Sequence, residues 1–224
     1  LYKVPDHKLV PFAYSWGYNE LLQTSRELNP KRDEIRDKLG IPRGTFVVLF
    51  CGRLSKEKDP FLLLDAFNRL DTHSKSLVFV GDGTLKYPLQ EHVEDHNIGS
   101  VHFAGFQDRN AVPMYYTAAD VLVLPSYRDT WGIVVTEAMC FGLPVITTDQ
   151  VGASVDLIKD GHNGFTIQVG DEDTLTYHLQ CLADMHEEER KKMGLHSQRL
   201  MQWWANRNLT ETIDQYFDVL TKTS

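Results

Sequence analysis

Two cationic side chains, Arg53 and Lys58, stand in a short segment that begins at Gly52 and follows an apolar run at 46–50. A guanidinium forks onto two oxygens and an ammonium acts as a point charge, so the pair suits a phosphate. A proline at position 60 indicates that a helix begins there, and exposed amides at a helix start favour the same anion. A solvated basic turn would have the same composition, so this segment alone leaves both interpretations open.

Two carboxylates, Asp129 and Glu137, lie in a second segment, which follows an apolar run at 121–124. If a helix begins near Trp131, Asp129 lies just before it and Glu137 about two turns inside, so both can face one crevice. Carboxylates accept hydrogen bonds from sugar hydroxyls, and free amides at a helix start favour a phosphate. The amides expected to do so are those of Thr130, Trp131, Gly132 and Ile133. A ligand with hydroxyls and a diphosphate, such as a nucleotide sugar, fits this pattern; the alternative is that Asp129 is a helix cap and Glu137 is solvated.

Glycines form a third candidate loop, Gly81-Asp82-Gly83, after the apolar run at 77–80. Glycine permits positive φ angles and lets a ligand approach the backbone closely. A tight turn from strand to helix needs glycine with or without a ligand, so Gly81 and Gly83 are candidates only in combination with the other loops.

The elements that must position these loops alternate along the chain. From position 45, apolar runs of strand length at 46–50, 77–80, 101–104, 121–124 and 145–147 are separated by amphipathic stretches of helix length. This alternation predicts five parallel strands in an α/β, Rossmann-like sheet with helices on both faces. Ligands of such sheets bind beyond the carboxyl ends of the strands, which is where all three loops begin.

The flanks of this core are less regular. Residues 1–44 contain several prolines and weak periodicity, which predicts an extended entry or linker segment with a short helix at 32–39. Residues 45–200 are predicted to form the Rossmann-like domain, with helices starting at Asp59-Pro60 and at Asp171 or Asp173. Residues 201–224 are predicted to end in an amphipathic helix at 209–220 that packs on a domain missing from this chain. Trp203 and Trp204 are expected to pack against this chain or that domain.

Composition excludes several classes of protein. The net charge of −8 over 224 residues argues against a nucleic-acid partner. No run approaches the roughly 20 apolar residues that a membrane span needs, and three cysteines without a CxxC pair fit a reduced cytoplasmic protein. Peripheral membrane association through a missing domain stays open. Because the first residue is Leu1 rather than methionine, we expect a fragment of a longer chain.

Histidines at the spacing of metal ligands occur twice without a supporting motif. His92 and His96 are four positions apart but lack the HExxH order, and His178 and Cys181 alternate with leucines at 175, 179 and 182. Both pairs are interpreted as ordinary helix positions, so neither a metal site nor a cofactor is expected.

Taken together, the motifs resemble, in order and spacing, the C-terminal domain of retaining GT-B glycosyltransferases of family four. The resemblance covers about residues 47–165. The motifs that carry it are Gly52-Arg53…Lys58, Gly81-Asp82-Gly83, Phe103-Ala104-Gly105, Pro125-Ser126…Asp129-x-Trp131-Gly132…Glu137-Ala138-Met139, Gly142-x-Pro144-Val145 and Asp160-Gly161-x-Asn163-Gly164.

The resemblance implies a role for each matched residue. Arg53 and Lys58 would bind the donor's diphosphate, Glu137 would hold the ribose hydroxyls, and the base would lie near Phe106. The residue at 129 would approach the transferred sugar, where Asp129 replaces the family's glutamate. In the family's Gly-Gly-x-x-Glu segment, this chain keeps only Gly152 as a close-approach residue.

The resemblance also implies a reaction: transfer of a hexose from a nucleotide-diphosphate sugar, with UDP the first expectation, in carbohydrate biosynthesis. Transfer would retain the anomeric configuration and need no metal, and a missing N-terminal domain would bind the sugar, lipid-linked or other acceptor. Two alternatives remain: a non-catalytic nucleotide-sugar-binding module, and a GT-B-type epimerase or phosphorylase.

Overall fold

Six parallel strands form one sheet in the structure, a computed structural model that describes residues 17–206 together with Asp214 and Phe217. The order across the sheet is β3-β2-β1-β4-β5-β6. The strands are β1 (Phe46–Cys51), β2 (Lys75–Val80), β3 (Val101–Gly105), β4 (Val121–Leu124), β5 (Val145–Thr148) and β6 (Gly164–Ile167). The predicted α/β class with a parallel sheet is therefore confirmed, and the five predicted strands are present.

The sixth strand, β6, was missed by the sequence analysis, which predicted five strands. It is the edge strand beside β5, and only its first and last residues are buried. Gly164 adjoins β5 so closely that a Cβ there would lie 2.0 Å from the carbonyl oxygen of Val145. An edge strand that starts on a glycine and buries little apolar surface leaves no apolar run to detect.

Helices cover both faces of the sheet. They are α1 (Tyr18–Leu28), α2 (Arg32–Lys38), α3 (Pro60–Asn68), α4 (Lys86–Asp95), α5 (Val112–Ala118), α6 (Ile133–Cys140), α7 (Gly152–Leu157), α8 (Glu172–Asp184) and α9 (Glu187–Asn206). Alternate residues of β1 point to opposite faces: Phe46 and Phe50 join the apolar cluster of α3, α4 and α8, while Val47 and Leu49 join that of α1, α2, α5, α6 and α7. The sheet thus separates two apolar cores, as its position between two helical layers requires.

Two predicted helix starts are confirmed by their caps. Asp59 precedes Pro60 and accepts a hydrogen bond from the Leu62 amide at 3.4 Å. Asp171, one of the two candidates at the start of α8, accepts from the Thr174 amide at 3.0 Å. Both capping carboxylates satisfy amides that have no partner within their own helix.

The prediction of an extended segment before position 32 is wrong for the part that the structure describes. Residues 18–28 form α1, and its Tyr18 and Leu22 are buried in the core. Its core-facing stripe has helical spacing, with Tyr18, Leu22 and Ser25 buried and Leu21 and Leu28 packed partly buried beside them. The sequence analysis missed this stripe because it gave more weight to the neighbouring prolines. Residues 1–16 and the predicted helix at 209–220, apart from Asp214 and Phe217, lie outside the described residues. The domain limits therefore stay a prediction.

A buried carboxylate fastens α2 to the sheet at the amino ends of β1 and β4. Asp120 is 7% exposed and accepts hydrogen bonds from the Val47 amide, Arg36 and Arg32, each at 2.8 Å. Arg36 donates further to the carbonyl oxygen of Thr45 at 3.1 Å. This cluster, which we call the Asp120 clamp, lies at the opposite end of the sheet from the three candidate loops.

Candidate functional site

The three candidate loops meet at the carboxyl ends of the central strands. The order of these strands is β3-β2-β1-β4, so the chain continues from β1 to β2 and β3 on one side of β1 and then crosses to β4 on the other side. The loops that follow two such strands diverge and leave a crevice between them, the usual ligand position in sheets of this type. Here the two loops also touch, since the Tyr127 amide donates to the carbonyl oxygen of Glu57 at 2.8 Å.

A cleft of about 430 Å³ opens at the ends of β1, β2 and β3. It brings together four residues that the sequence analysis singled out: Gly52, Arg53, Gly81 and Phe106. The other lining residues are Cys51, Val80, Asp82, Gln107 and Val112. The Phe106 side chain is 77% exposed. We call this space the β1–β3 cleft; its size falls within the range of small-molecule sites, about 300–1,000 Å³.

Arg53 is the exposed cation of the β1–β3 cleft. Within residues 17–206, its guanidinium forms no hydrogen bond or ion pair with another side chain. An exposed guanidinium at the mouth of a cleft keeps its planar fork of donors free for an incoming anion.

The glycines of the third loop are explained by contact between loops. A Cβ at Gly81 would lie 1.9 Å from the carbonyl oxygen of Gly52, and one at Gly83 would lie 2.3 Å from that of Leu54. Both positions also have positive φ angles, 138° and 159°. Gly81 lines the β1–β3 cleft, whereas Gly83 does not. These glycines let the loops after β1 and β2 lie against each other and so shape the cleft.

Asp129 occupies the helix start that was expected to meet a phosphate. Its Oδ1 accepts hydrogen bonds from the amides of Trp131 at 3.2 Å and Gly132 at 2.9 Å, while Oδ2 pairs with the ammonium of Lys58. Aspartate commonly bonds the backbone two residues on, and its short side chain folds back onto its own loop here. Two amides and a cation thus bind one carboxylate. The two amides belong to the residues between Thr130 and Ile133, and Ile133 is the first residue of α6. We call this arrangement the Asp129 pocket.

The loop that carries Asp129 is held by the loop after β5. The Asp129 amide donates to the Gln150 carbonyl at 3.1 Å, and the Gly152 amide returns a bond to the Asp129 carbonyl at 3.0 Å. A Cβ at Gly152 would lie 2.3 Å from the carbonyl oxygen of Thr130. Gly152 is therefore a close-approach residue, as expected, but what it approaches in this structure is the backbone of the neighbouring loop.

Glu137 is oriented by a residue that the sequence analysis missed. The hydroxyl of Tyr116, on α5, donates to Glu137 Oε2 at 2.8 Å, and Tyr116 is only 1% exposed. Burial raises the pKa of the Glu137 carboxyl, and the Tyr116 hydrogen bond opposes that shift. Burial also raises the pKa of the neighbouring Cys51 thiol to about 11. Glu137 itself does not line the β1–β3 cleft, whereas Cys51, whose thiol lies near the Tyr116 hydroxyl, does. No local motif marks Tyr116, because the contact joins two helices across 21 positions.

The residues set aside in the sequence analysis make ordinary contacts. His92 accepts or donates a hydrogen bond with Asp65 at 3.0 Å and stacks on His96 at 4.1 Å between ring centroids. Trp204 is buried, with its ring 6.0 Å from that of Trp131, so the expected packing within the chain is confirmed for this tryptophan. Trp203 is 53% exposed.

The described part of the chain contains neither a helix suited to span a membrane nor a cluster of metal-binding side chains. No helix between residues 17 and 206 is long and apolar enough to cross a membrane. No group of three or more His, Cys, Asp or Glu in the same part of the chain could hold a metal ion.

Comparison with known proteins places residues 31–199 in the family described as "Glycosyl transferases group 1". The chain is 33% identical over 180 residues to spore coat protein SA of Bacillus subtilis (strain 168), which covers 75% of this chain and 47% of that protein. The curated relatives that it matches are longer, and the chain spans about half their length or less.

Two solved structures have the same architecture. Sucrose-phosphate synthase from Thermosynechococcus elongatus superposes with a TM-score of 0.70 at 26% identity, covering 86% of this chain and 49% of that one. Anabaena Alr3699/HepE in complex with UDP-glucose gives a TM-score of 0.71 at 21% identity, covering 87% and 52%. At 21% identity the second likeness concerns the fold alone.

Proposed function

Because the chain belongs to the group 1 glycosyl transferases, we propose that it is the half of such an enzyme that binds the nucleotide-diphosphate sugar, with UDP as the nucleotide. The observation that carries the proposal is the position of Arg53, an exposed cation at the mouth of a cleft beyond the carboxyl ends of β1, β2 and β3. UDP is supported by Alr3699/HepE, a protein of the same fold whose structure contains UDP-glucose.

In this proposal the β1–β3 cleft takes the nucleotide. Arg53 forks onto the diphosphate, the exposed ring of Phe106 packs on the base, and Gly52 and Gly81 let backbone and ligand approach. Glu137 accepts hydrogen bonds from the ribose hydroxyls when the cleft lining that contains Cys51 moves enough for the ribose to reach the Glu137 carboxylate. The Tyr116 hydroxyl holds one oxygen of Glu137 and leaves the other free for the ribose.

Charge stabilisation would come from the protein's own donors. As the sugar leaves, the nucleoside diphosphate gains negative charge, and donors aimed at that charge lower the barrier. Arg53, Lys58 and the amides at Trp131 and Gly132 are available for this role, provided that the donor displaces the Asp129 carboxylate from the Asp129 pocket. We therefore propose transfer without a metal or other cofactor, and with retention of configuration as the family resemblance implies.

The acceptor would be bound by a part of the enzyme outside this chain. Support comes from the length of the curated relatives, of which this chain spans about half or less. This chain alone would then bind the donor and transfer its sugar poorly.

Thermal unfolding with UDP, GDP and ADP, each in excess chelator, tests the donor proposal. A ligand at about 100 times its dissociation constant adds about 2.7 kcal/mol of stability. For a chain of this size we expect UDP to raise the midpoint of unfolding by about 5–10 °C, and GDP and ADP to raise it less. No shift with any of the three nucleotides would contradict the proposal, and a shift that appears only with added Mg²⁺ would contradict metal independence.

A second candidate, a non-catalytic nucleotide-sugar-binding module, is favoured by one observation. Both oxygens of Asp129 are engaged by its own chain, at the position that would approach the transferred sugar. A carboxylate held in this way leaves fewer acceptor sites for a sugar hydroxyl.

Replacing Asp129 by asparagine distinguishes the two functions. Asparagine keeps an oxygen for the Trp131 and Gly132 amides but releases the charge of Lys58, so we expect UDP to bind about three- to tenfold more tightly. If Asp129 also contacts the sugar, as the transferase proposal holds, UDP-glucose should gain less than UDP. Calorimetric titration of both ligands measures this difference, and an equal gain for both would favour the binding module.

A further inference from the structure

A second pocket, of about 540 Å³, lies beside the Asp129 pocket and shares no lining residue with the β1–β3 cleft. We call it the Tyr127 pocket. It is formed by the loops after β1 and β4 and by the starts of α3 and α4. Its lining residues are Lys56, Glu57, Asp59, Phe61, Leu85 and Tyr127. Nothing in the proposed binding of the nucleotide uses these side chains.

Apolar side chains form one part of this pocket. The Tyr127 side chain is 51% exposed, and Phe61 and Leu85 are partly buried at the edge of the core. Two rings and a branched aliphatic chain, each partly exposed, therefore give the pocket an apolar lining of the kind that predominates in small-molecule sites.

Carboxylates form the other part. Asp59 accepts a hydrogen bond from the Leu62 amide at 3.4 Å, and the Tyr127 hydroxyl lies close to its carboxylate. A carboxylate has about four acceptor sites, so Asp59 is held in position and still has acceptor capacity. Glu57 is exposed beside it. These groups can accept hydrogen bonds from hydroxyls, which a hydrocarbon ligand could not use.

The charges of the Tyr127 pocket exclude a second phosphate site. The lining contains one cationic side chain, Lys56, and two carboxylates, Glu57 and Asp59, so its net charge is negative. An anion would be repelled there, whereas it would be attracted to Arg53 in the β1–β3 cleft. The combination of apolar rings and hydroxyl acceptors without net positive charge matches a neutral polyol.

The same two loops build the Tyr127 pocket and the Asp129 pocket. Tyr127 and Asp129 lie two positions apart, and their partners Glu57 and Lys58 are adjacent in the other loop. A sugar in the Tyr127 pocket would therefore lie next to the point at which the donor's diphosphate and sugar meet. The proximity of the two sites therefore depends only on these two loops, both of which belong to this chain.

We propose that the Tyr127 pocket is a saccharide subsite that binds one further neutral pyranose unit of the acceptor glycan, beyond the part of the acceptor that is bound outside this chain. This inference rests on the proposed transferase function, since it assumes that the acceptor is a glycan. The apolar C–H face of the ring packs on Tyr127 and Phe61, and its hydroxyls donate to Asp59 and Glu57.

Nuclear magnetic resonance titration of the chain with ¹³C-labelled methyl groups tests the subsite. The probes are methyl α-D-glucopyranoside, methyl α-D-galactopyranoside and methyl α-D-mannopyranoside. We expect at least one probe to cause saturable shifts of the Leu85 methyl signals. Tyr127→Ala should weaken that binding at least tenfold, while Tyr127→Phe, which keeps the ring, should weaken it less. Tyr87→Ala is the matched control, because Tyr87 on α4 is 78% exposed and does not line the pocket.

The same samples separate this inference from the proposed function. UDP binding is followed through the methyl groups of Val80 and Val112, which line the β1–β3 cleft. If UDP binds and no sugar shifts Leu85, the subsite is wrong and the donor proposal stands. If a sugar binds and UDP does not, the donor proposal fails alone. Shifts of Leu85 caused by UDP itself, or sugar binding that survives Tyr127→Ala, would also overturn the subsite.

Discussion

Replacing Arg53 by alanine is expected to weaken UDP binding about ten- to a hundredfold. Hydrogen bonds to charged groups contribute about 1.5–3 kcal/mol each, and about 1.4 kcal/mol corresponds to a factor of ten in affinity. Because the guanidinium is exposed and has no hydrogen-bond or ion-pair partner within residues 17–206, its loss should leave the stability of the unliganded chain unchanged within about 0.5 kcal/mol. Calorimetric titration with UDP, together with thermal unfolding of the free protein, measures both effects.

Arg43→Ala is the matched control for this substitution. Arg43 lies before β1, at the other end of the sheet, and its side chain is 71% exposed with only loose ion pairs to Asp33 and Asp37, at 3.9 and 3.8 Å. Arg43→Ala removes one positive charge from the chain, as Arg53→Ala does, but leaves the charge of the β1–β3 cleft unchanged. UDP affinity that falls equally in both variants would mean that overall charge, rather than the cleft, attracts the nucleotide. Unchanged affinity in Arg53→Ala would place the diphosphate elsewhere.

Gly81→Ala is expected to destabilise the chain by about 2–6 kcal/mol. The added Cβ would lie 1.9 Å from the carbonyl oxygen of Gly52, which is backbone and cannot turn away. Overpacking costs about 1–3 kcal/mol, and a φ of 138° imposes a further cost of about 1–3 kcal/mol on any residue with a side chain. The midpoint of thermal unfolding should fall by roughly 5–20 °C, and UDP binding should weaken because the loops after β1 and β2 are pushed apart.

Gly99→Ala provides the comparison for Gly81→Ala. Gly99 has no neighbouring atom within 4 Å of an added Cβ, and its φ angle is not positive. The same chemical change should therefore alter the unfolding midpoint by no more than about 2 °C. Equal midpoints for the two variants would show that the loops have room to separate, and the account of the cleft's shape would be wrong.

The positions of the strands and of the loops after them were predictable from the sequence, because each is marked by the pattern of apolar and polar residues within a few positions. The run at 46–50 is apolar throughout, as a strand buried on both faces requires, and the polar residues after it mark the carboxyl end of β1. The same argument places Arg53, Gly81 and Asp129 in loops that follow strands. It failed for β6, whose position at the sheet edge removes the need for apolar residues on both faces.

The contacts that define the site were not predictable, because they join positions far apart in the chain. Lys58 and Asp129 are 71 positions apart, and Tyr116 and Glu137 lie on different helices. The sequence analysis left open whether the helix-start amides meet a phosphate or are capped by Asp129, and in this structure Asp129 caps them. No local rule shows that Asp129 also pairs with Lys58. Only the packing of the loop after β5 against the loop after β4 fixes that geometry.

The helix α1 shows a different limit of sequence reasoning. Its buried face is made by Tyr18, Leu22 and Ser25, and the partner surfaces are on α5, α6 and α9. Leu21 and Leu28 pack against the same core, so apolar residues recur at helical spacing along α1. This signal was present in the sequence, and the analysis overlooked it because it read the nearby prolines as evidence of an extended segment.

The Asp120 clamp limits where this domain can be exchanged between members of its family. Asp120 is buried, and the two arginines that hydrogen-bond to it, Arg32 and Arg36, come from the segment before β1, while Arg190 on α9 forms a looser ion pair at 3.8 Å. A crossover placed at position 45, where the Rossmann-like pattern starts, would separate that carboxylate from the two arginines that hydrogen-bond to it. Breaking a buried ion pair in this way costs about 3–5 kcal/mol. A chimera that keeps the native partners must therefore join its parents upstream of Arg32, so the exchangeable unit begins well before the first strand of the sheet.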